Sequence, residues 1–189
     1  MEKKRALVVL AEGFEDIEAV APIDVLNRVG VEVVTASVVP GPVRAAYGTV
    51  IVPDTTVSAV QGEFDAIICP GGKRNAQSLA ADPRVIALVQ EFMSAGKLVC
   101  AICAAPSHVL GEAAQVLSGR RSAGDPGFNG KLAASGAVLT HEPVSVDGNL
   151  ITGNGPGAAL EFALTIAACL VSKEAARQWA DKWGVSLRH

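Results

Sequence analysis

The sequence predicts a doubly wound α/β fold, a mostly parallel sheet sandwiched by helices, and three observations carry that prediction. Short, almost continuously apolar runs such as Arg5 to Leu10 and Phe64 to Cys69 have the character of strands covered on both faces. Segments with apolar residues at helical spacing lie between them, and alternation of the two kinds is the signature of this layered architecture. Glycine and proline clusters follow the strands, and in such sheets chemistry gathers at the carboxyl ends of the strands.

Taken in order, Arg5 to Leu10 is the first strand. Glu12 to Glu18 leads into a helix with Ile17, Val20, Ala21, Val25 and Leu26 at helical spacing, stopped by Gly30. Pro22 falls inside it, so a kink or a broken first turn is expected. Glu15 and Asp16 suit the positive end of a helix on charge alone. Val31 to Val38 is a valine-rich second strand ended by Pro40-Gly41-Pro42, and Val50 to Val52 is a short, exposed edge piece. Phe64 to Cys69 is a buried strand stopping at Pro70-Gly71-Gly72, a bend with bare backbone amides. Asp82-Pro83 opens a helix with Val85, Leu88, Val89 and Phe92 on its apolar face.

Leu98 to Ile102 is the next strand, and Cys103 stands where it turns into a helix running from Pro106 to about Gly111. Ser118 to Gly136, glycine-rich and polar, reads as loop with short strands. Val138 to Thr140 and Val144 to Val146 read as strands, and Asp147-Gly148 turns the latter back into Leu150-Ile151-Thr152 as a hairpin. Gly153 to Gly157 is a sharp turn onto a helix from Ala158 to Val171, apolar nearly all round. Lys173 to Trp183 is an amphipathic closing helix. No internal repeat or low-complexity segment interrupts this order.

Composition narrows the function. The 189 residues, half of them hydrophobic, fit one domain spanning 1–189 with a proper core. A net charge of −3 with scattered lysines and arginines offers no field for a nucleic-acid backbone and no polybasic arm for a membrane. The opening Met1-Glu2-Lys3-Lys4-Arg5 superficially resembles a signal peptide, but Glu12 ends the apolar run too early. Ala158 to Val171, broken by Glu161, is too short to span a bilayer, so a soluble protein is expected. The cysteines at 69, 100, 103 and 169 all sit in core-like apolar segments, so we expect no disulfides and a reducing, cytoplasmic setting. The Cys100-x-x-Cys103 spacing begins inside a strand, which argues against a thioredoxin-type pair or a zinc knuckle. No cluster of metal ligands is evident.

Cys103 is the focus of the chain. A side chain on a strand-to-helix turn is exposed at the sheet edge, in the manner of a nucleophile elbow. Amides opening the next helix favour negative charge, so the thiol is expected to shift down toward the thiolate. Cys100, which precedes the turn, reads as a small core residue.

Glu15-Asp16-x-Glu18, Cys69-Pro70-Gly71-Gly72, Ala101-Ile102-Cys103-Ala104-Ala105-Pro106 and Gly155-Pro156-Gly157 with Glu161-Phe162-Ala163-Leu164 together resemble the ThiJ/PfpI family, in its parkinsonism-associated protein deglycase branch. The resemblance covers nearly the whole chain in one order. It implies a flavodoxin-like homodimer with Cys103 as nucleophile, Glu18 beside its sulfur, and an oxyanion pocket from the amides of Gly72 and Ala104, with Gly71 as an auxiliary. It further implies cofactor-free, glutathione-independent glyoxalase action on methylglyoxal-type dicarbonyls and deglycation of early adducts on proteins or nucleotides. Oxidative-stress protection, chaperone activity and oxidation of the cysteine to sulfinate are implied as an alternative, non-catalytic role. Ala104 stands where protease-like branches carry a histidine, which disfavours Cys-His peptidase chemistry. Asp125-Pro126 stands where some deglycase relatives carry histidine before proline, which removes a family imidazole.

Glyoxalase chemistry needs a sulfur to attack an aldehyde and a proton to move between neighbouring carbons, and a carboxyl can shuttle it. Burial beside sulfur is expected to raise Glu18 and keep it partly protonated at neutral pH. His141, before Glu142-Pro143, is a candidate to reach a site from a partner's loop, whereas His108 reads as a packing residue and His189 as a tail.

Overall fold

A computed structural model describes residues 3–188, so His189 lies outside the described residues. The chain runs β1 (Arg5–Leu10), α1 (Asp16–Arg28), β2 (Glu32–Ser37), β3 (Val43–Arg44), β4 (Val50–Ile51), β5 (Thr55–Thr56), β6 (Ala66–Cys69), α2 (Lys73–Ala81), α3 (Pro83–Ser94) and β7 (Leu98–Ile102). A π-helical segment, Pro106–Ala113, leads to β8 (Arg121–Ser122), α4 (Asn129–Ala134), β9 (Val138–Leu139), β10 (Val144–Asp147), β11 (Leu150–Gly153), α5 (Ala159–Leu170) and α6 (Lys173–Trp183).

Seven strands form the main sheet in the order β10-β11-β7-β6-β1-β2-β5, every pair parallel except β10 with β11. The predicted α/β sandwich is therefore the observed one. Its parallel core has the flavodoxin-like order, in which the connection reverses direction between β1 and β6. Alternate residues of each strand face opposite layers. Val8, Leu10, Ile68, Cys100 and Ile102 pack with α1, α5 and α6, while Leu7, Val9, Ile67, Val99 and Ala101 pack with α2, α3 and the π-helical segment. Both faces are thus covered, which is why the strands read as continuous apolar runs.

Several expectations are corrected. Ile17 and Val20 are 54% and 43% exposed, since α1 buries Glu18, Ala19, Ala21, Pro22, Val25 and Leu26 instead. Helix α1 continues through Pro22 from Asp16 to Arg28. Helix α2 was hidden because its buried face, Asn75, Ala76 and Leu79, is small and partly polar. Helix α4 lies inside the stretch expected as loop, and Leu132 is its buried anchor. Val50 and Ile51 pair with β3 in a separate two-stranded ribbon, outside the main sheet. That ribbon is tied to the start of α1, because Asp16 accepts the N–H of Tyr47 at 3.0 Å and of Thr49 at 2.9 Å. Cys169 is exposed, contrary to the core position expected, and all four cysteines are free thiols.

Asp82 caps α3 through the N–H of Arg84 at 2.9 Å, with Pro83 at the first helical position as predicted. Ser172 caps α6 through Ala175, and Gly184 closes it in the left-handed conformation. At this corner the rings of Trp179 and Trp183 lie 5.0 Å apart, with the Arg28 guanidinium 5.0 and 5.3 Å from them.

Candidate active site

Three loops at the carboxyl edge meet as expected: the start of α1 after β1, Pro70 to Gly72 after β6, and the turn after β7. Cys103 has φ 63°, one of two non-glycine residues with positive φ among those described. This left-handed conformation is costly for a residue bearing Cβ. It is held from both sides: the N–H of Cys103 donates to Gly153 O at 2.9 Å, and its carbonyl accepts from the N–H of Asp125 at 2.8 Å. The elbow is thus clamped between the strand hairpin and the 120s loop, leaving the side chain half-buried at the sheet edge.

Glu18, fully buried in the first turn of α1, reaches the same point. Its Oε2 accepts the N–H of Gly71 at 2.8 Å, and its Oε1 is buried without a well-aligned hydrogen bond. Burial raises its pKa to about 7, against the opposing contacts with the Cys103 thiol and the Gly71 amide, and the charges of Glu15 and Asp125 push it further up. The carboxyl is therefore about half protonated at neutral pH, as the sequence led us to expect, and Oε1 is the oxygen free to carry the proton.

The thiol departs from expectation. Burial, and next the Glu18 carboxylate, push Cys103 up to about 12, with Asp125 adding to the effect and the N–H of Gly72 pulling the other way. Loss of water and two neighbouring acids outweigh the backbone amides, so the resting sulfur carries its proton. Cys69, fully buried, is also pushed up to about 12 by desolvation, and Cys100 well above its ordinary value.

Gly71 and Gly72 are required by close approach. A Cβ on Gly71 would lie 2.5 Å from Cys103 Cβ, 2.9 Å from Ile102 O, and against Glu18 Oε2. Gly72 adopts φ 82°, and a Cβ there would press on the backbone of residues 13–15. Asn75 organises this bend, a positioning role that one polar residue in a short helix did not announce. Its Oδ1 accepts the N–H of Ala11 at 2.6 Å, and its Nδ2 donates to Pro70 O at 2.8 Å and Gly71 O at 3.1 Å.

The remaining candidates divide. Asp125 joins the site: its Oδ2 lies 3.8 Å from Cys103 Sγ, and its Oδ1 accepts the N–H of Gly127 at 2.8 Å. Ala104, next in the chain to Cys103, is buried, its carbonyl accepting from the His108 N–H at 3.2 Å and the Ser107 hydroxyl at 3.0 Å. His108 is a packing residue, 4% exposed and edge-on to Phe128. His141 is exposed, and the fold does not bring it together with these groups within the chain. Cys103 does not line the surface cavity of about 600 Å³ beside α3 or the one of about 620 Å³ between the π-helical segment and α4. Among the described residues, no group of three or more His, Cys, Asp or Glu side chains could hold a metal ion, and no helix is long and apolar enough to cross a membrane.

Comparison with known proteins agrees with the architecture. The pattern of the DJ-1/PfpI family matches residues 4–169. The Parkinson disease protein 7 homolog of Danio rerio is 37% identical over 182 residues, covering 94% of this chain and 95% of its own. A Caenorhabditis elegans relative named glutathione-independent glyoxalase DJR-1.2 is 35% identical over 174 residues, 91% of each chain. The crystal structure of Drosophila melanogaster DJ-1beta superposes with a TM-score of 0.91 at 35% identity, covering 98% of this chain and all of that one.

Proposed function

This chain belongs to the DJ-1/PfpI family, and from that premise we propose that it is a glutathione-independent glyoxalase acting on methylglyoxal-type dicarbonyls, with deglycation of early adducts as the same chemistry on larger substrates. The observation that carries the reading is the buried Glu18 carboxyl, its proton affinity near neutrality, set against the half-buried thiol of Cys103. A proton carrier works best when its pKa lies near the working pH. The glyoxalase name of the nematode relative supports the same reaction class.

In the proposed reaction ionised Glu18 accepts the thiol proton as the sulfur adds to the aldehyde carbon. The carbonyl π bond opens, and the new oxygen takes that proton to complete a hemithioacetal. Glu18 then takes the hydrogen on the former aldehyde carbon as a proton, the ketone oxygen picks up a proton to give an enediol, and Glu18 returns its proton to the neighbouring carbon while the hydroxyl on the sulfur-bearing carbon loses its own, leaving a thioester beside a new hydroxyl. Water hydrolyses the thioester to a 2-hydroxy acid and restores the thiol, with no cofactor consumed. The amides of Gly72 and Ala104 are the backbone donors we assign to the developing oxyanion. Ile17, Val20 and Leu160 form an exposed apolar face on α1 and α5, which we assign to a homodimer contact.

Purified protein should consume methylglyoxal without glutathione, and equal turnover by Cys103→Ala would remove the mechanism. The kcat/KM should rise with pH with a midpoint near 7, because below it Glu18 is protonated and accepts nothing; Glu18→Gln should abolish both the rise and the activity. Oxidation of Cys103 is a second reading, favoured by Oε1 of Glu18, which when protonated can donate to a sulfinate oxygen. Graded peroxide tests it by intact and peptide mass: two oxygens on Cys103 before exposed Cys169 support this reading, and Cys169 first, the order that a protonated, half-buried Cys103 favours, removes it.

A further inference from the structure

Building on that reaction, we propose that Asp125 sets the charge of the electrophile the site accepts, admitting neutral or cationic carbonyl compounds and turning away anionic ones. The carboxylate is presented to the sulfur by the fold. Its own N–H is bonded to the Cys103 carbonyl at 2.8 Å, its Oδ1 is fixed by the Gly127 N–H at 2.8 Å, and its second oxygen lies 3.8 Å from Sγ. The strand leading to it is anchored in turn, since the N–H of Ala123 donates to Thr152 Oγ1 at 2.8 Å. Gly124 is walled in by Leu132 and Pro106, so the loop has little room to swing the carboxylate away.

The charges that act most on the sulfur are negative, although Lys73 and Arg74 open α2 directly after Gly72, with the Arg74 stem against Gly13. Glu18 and Asp125 act on the sulfur, and Glu15 and Asp125 act on Glu18. An approaching carboxylate or phosphate would bring further negative charge within several ångström of Asp125. At the effective dielectric of a partly buried site, one such repulsion slows reaction about tenfold. A neutral dicarbonyl is unaffected, and a cationic adduct, such as one carried on a basic side chain, is favoured. Glycated nucleotides, with their phosphates, are thereby disfavoured relative to glycated protein side chains.

The test separates this selection from the proposed reaction by using simple alkylation. Cys103 sulfur attacks the methylene of iodoacetamide or iodoacetate, the carbon–iodine bond breaks, iodide leaves and the thiol proton goes to solvent. The two probes differ in one negative charge. Peptide-resolved mass spectrometry of the full chain gives the iodoacetamide to iodoacetate rate ratio at Cys103, with exposed Cys169 as internal control. Asp125→Asn keeps an oxygen for the Gly127 N–H, and it should lower the Cys103 ratio about tenfold while the Cys169 ratio stays fixed. In unaltered protein, about 1 M salt, where the Debye length is about 3 Å, should lower the Cys103 ratio as well. A Cys103 ratio indifferent to both the substitution and salt overturns the proposal. In a parallel assay methylglyoxal should be preferred to 4,5-dioxovalerate, which carries the same reacting carbons plus a carboxylate, and Asp125→Asn should narrow the preference. If neither compound turns over but the alkylation ratio shifts, charge selection stands and the glyoxalase reading falls; if methylglyoxal turns over and the ratio does not move, the reverse holds.

Discussion

Glu18 couples function to stability through a single proton. Its pKa rises from 4.5 in the unfolded chain to about 7 in the fold, so the folded state binds the extra proton between those values. The contribution is fully present below pH 4.5 and is lost as pH rises through 7, about 3 kcal/mol in all. Urea unfolding at pH 5 and pH 8 should show that decline, and Glu18→Gln should flatten it. Cys103 stores strain of another kind. With φ at 63°, a residue with Cβ costs about 1–2 kcal/mol there, so Cys103→Gly should be about 1 kcal/mol more stable than Cys103→Ala in the same titration. Equal stabilities would mean that the elbow is relaxed.

Among the elements, the β10–β11 hairpin does most to place the site, because β11 supplies Gly153 O to the elbow and Thr152 to the 120s loop. Thr152→Val removes a buried acceptor from the Ala123 N–H and should cost about 1–3 kcal/mol, with a matching loss of the charge preference attributed to Asp125. Thermal unfolding together with the alkylation ratio checks both. The hairpin and the capped start of α3 were legible in the sequence because turn and capping chemistry is local, as at Asp147-Gly148 and Asp82-Pro83, and α6 was legible through its amphipathic spacing, without its Ser172 cap. Helix α2 was not, its buried face being small and partly polar, nor was the role of Asn75, whose bond to Ala11 spans 64 residues. The same distance explains the thiol. A strand-to-helix turn suggested an acidified sulfur, but the pKa is decided by burial and by acids from two other loops. Glu18 and Cys103 were legible as a pair through spaced motifs, whereas the direction of the thiol's shift required the packed environment.

For the molecule as a whole, a uniformly covered sheet leaves recognition to its carboxyl edge and to the outer faces of its helices. Ile17 at 54%, Val20 at 43% and Leu160 at 41% exposure are large apolar groups on neighbouring helices, and contiguous patches of this kind mark association surfaces. Ile17→Asp should make the homodimer we propose monomeric in sedimentation velocity while leaving far-ultraviolet circular dichroism intact; a sedimentation coefficient equal to that of the unaltered chain would remove the proposed contact. The chain has two tryptophans, and both belong to the tilted pair on α6 that Arg28 overlies. Intrinsic emission therefore watches that one corner, and a melting curve recorded at indole wavelengths times the departure of the last helix, so it needs a second spectroscopic probe before it can speak for the carboxyl edge where Cys103 and Glu18 meet.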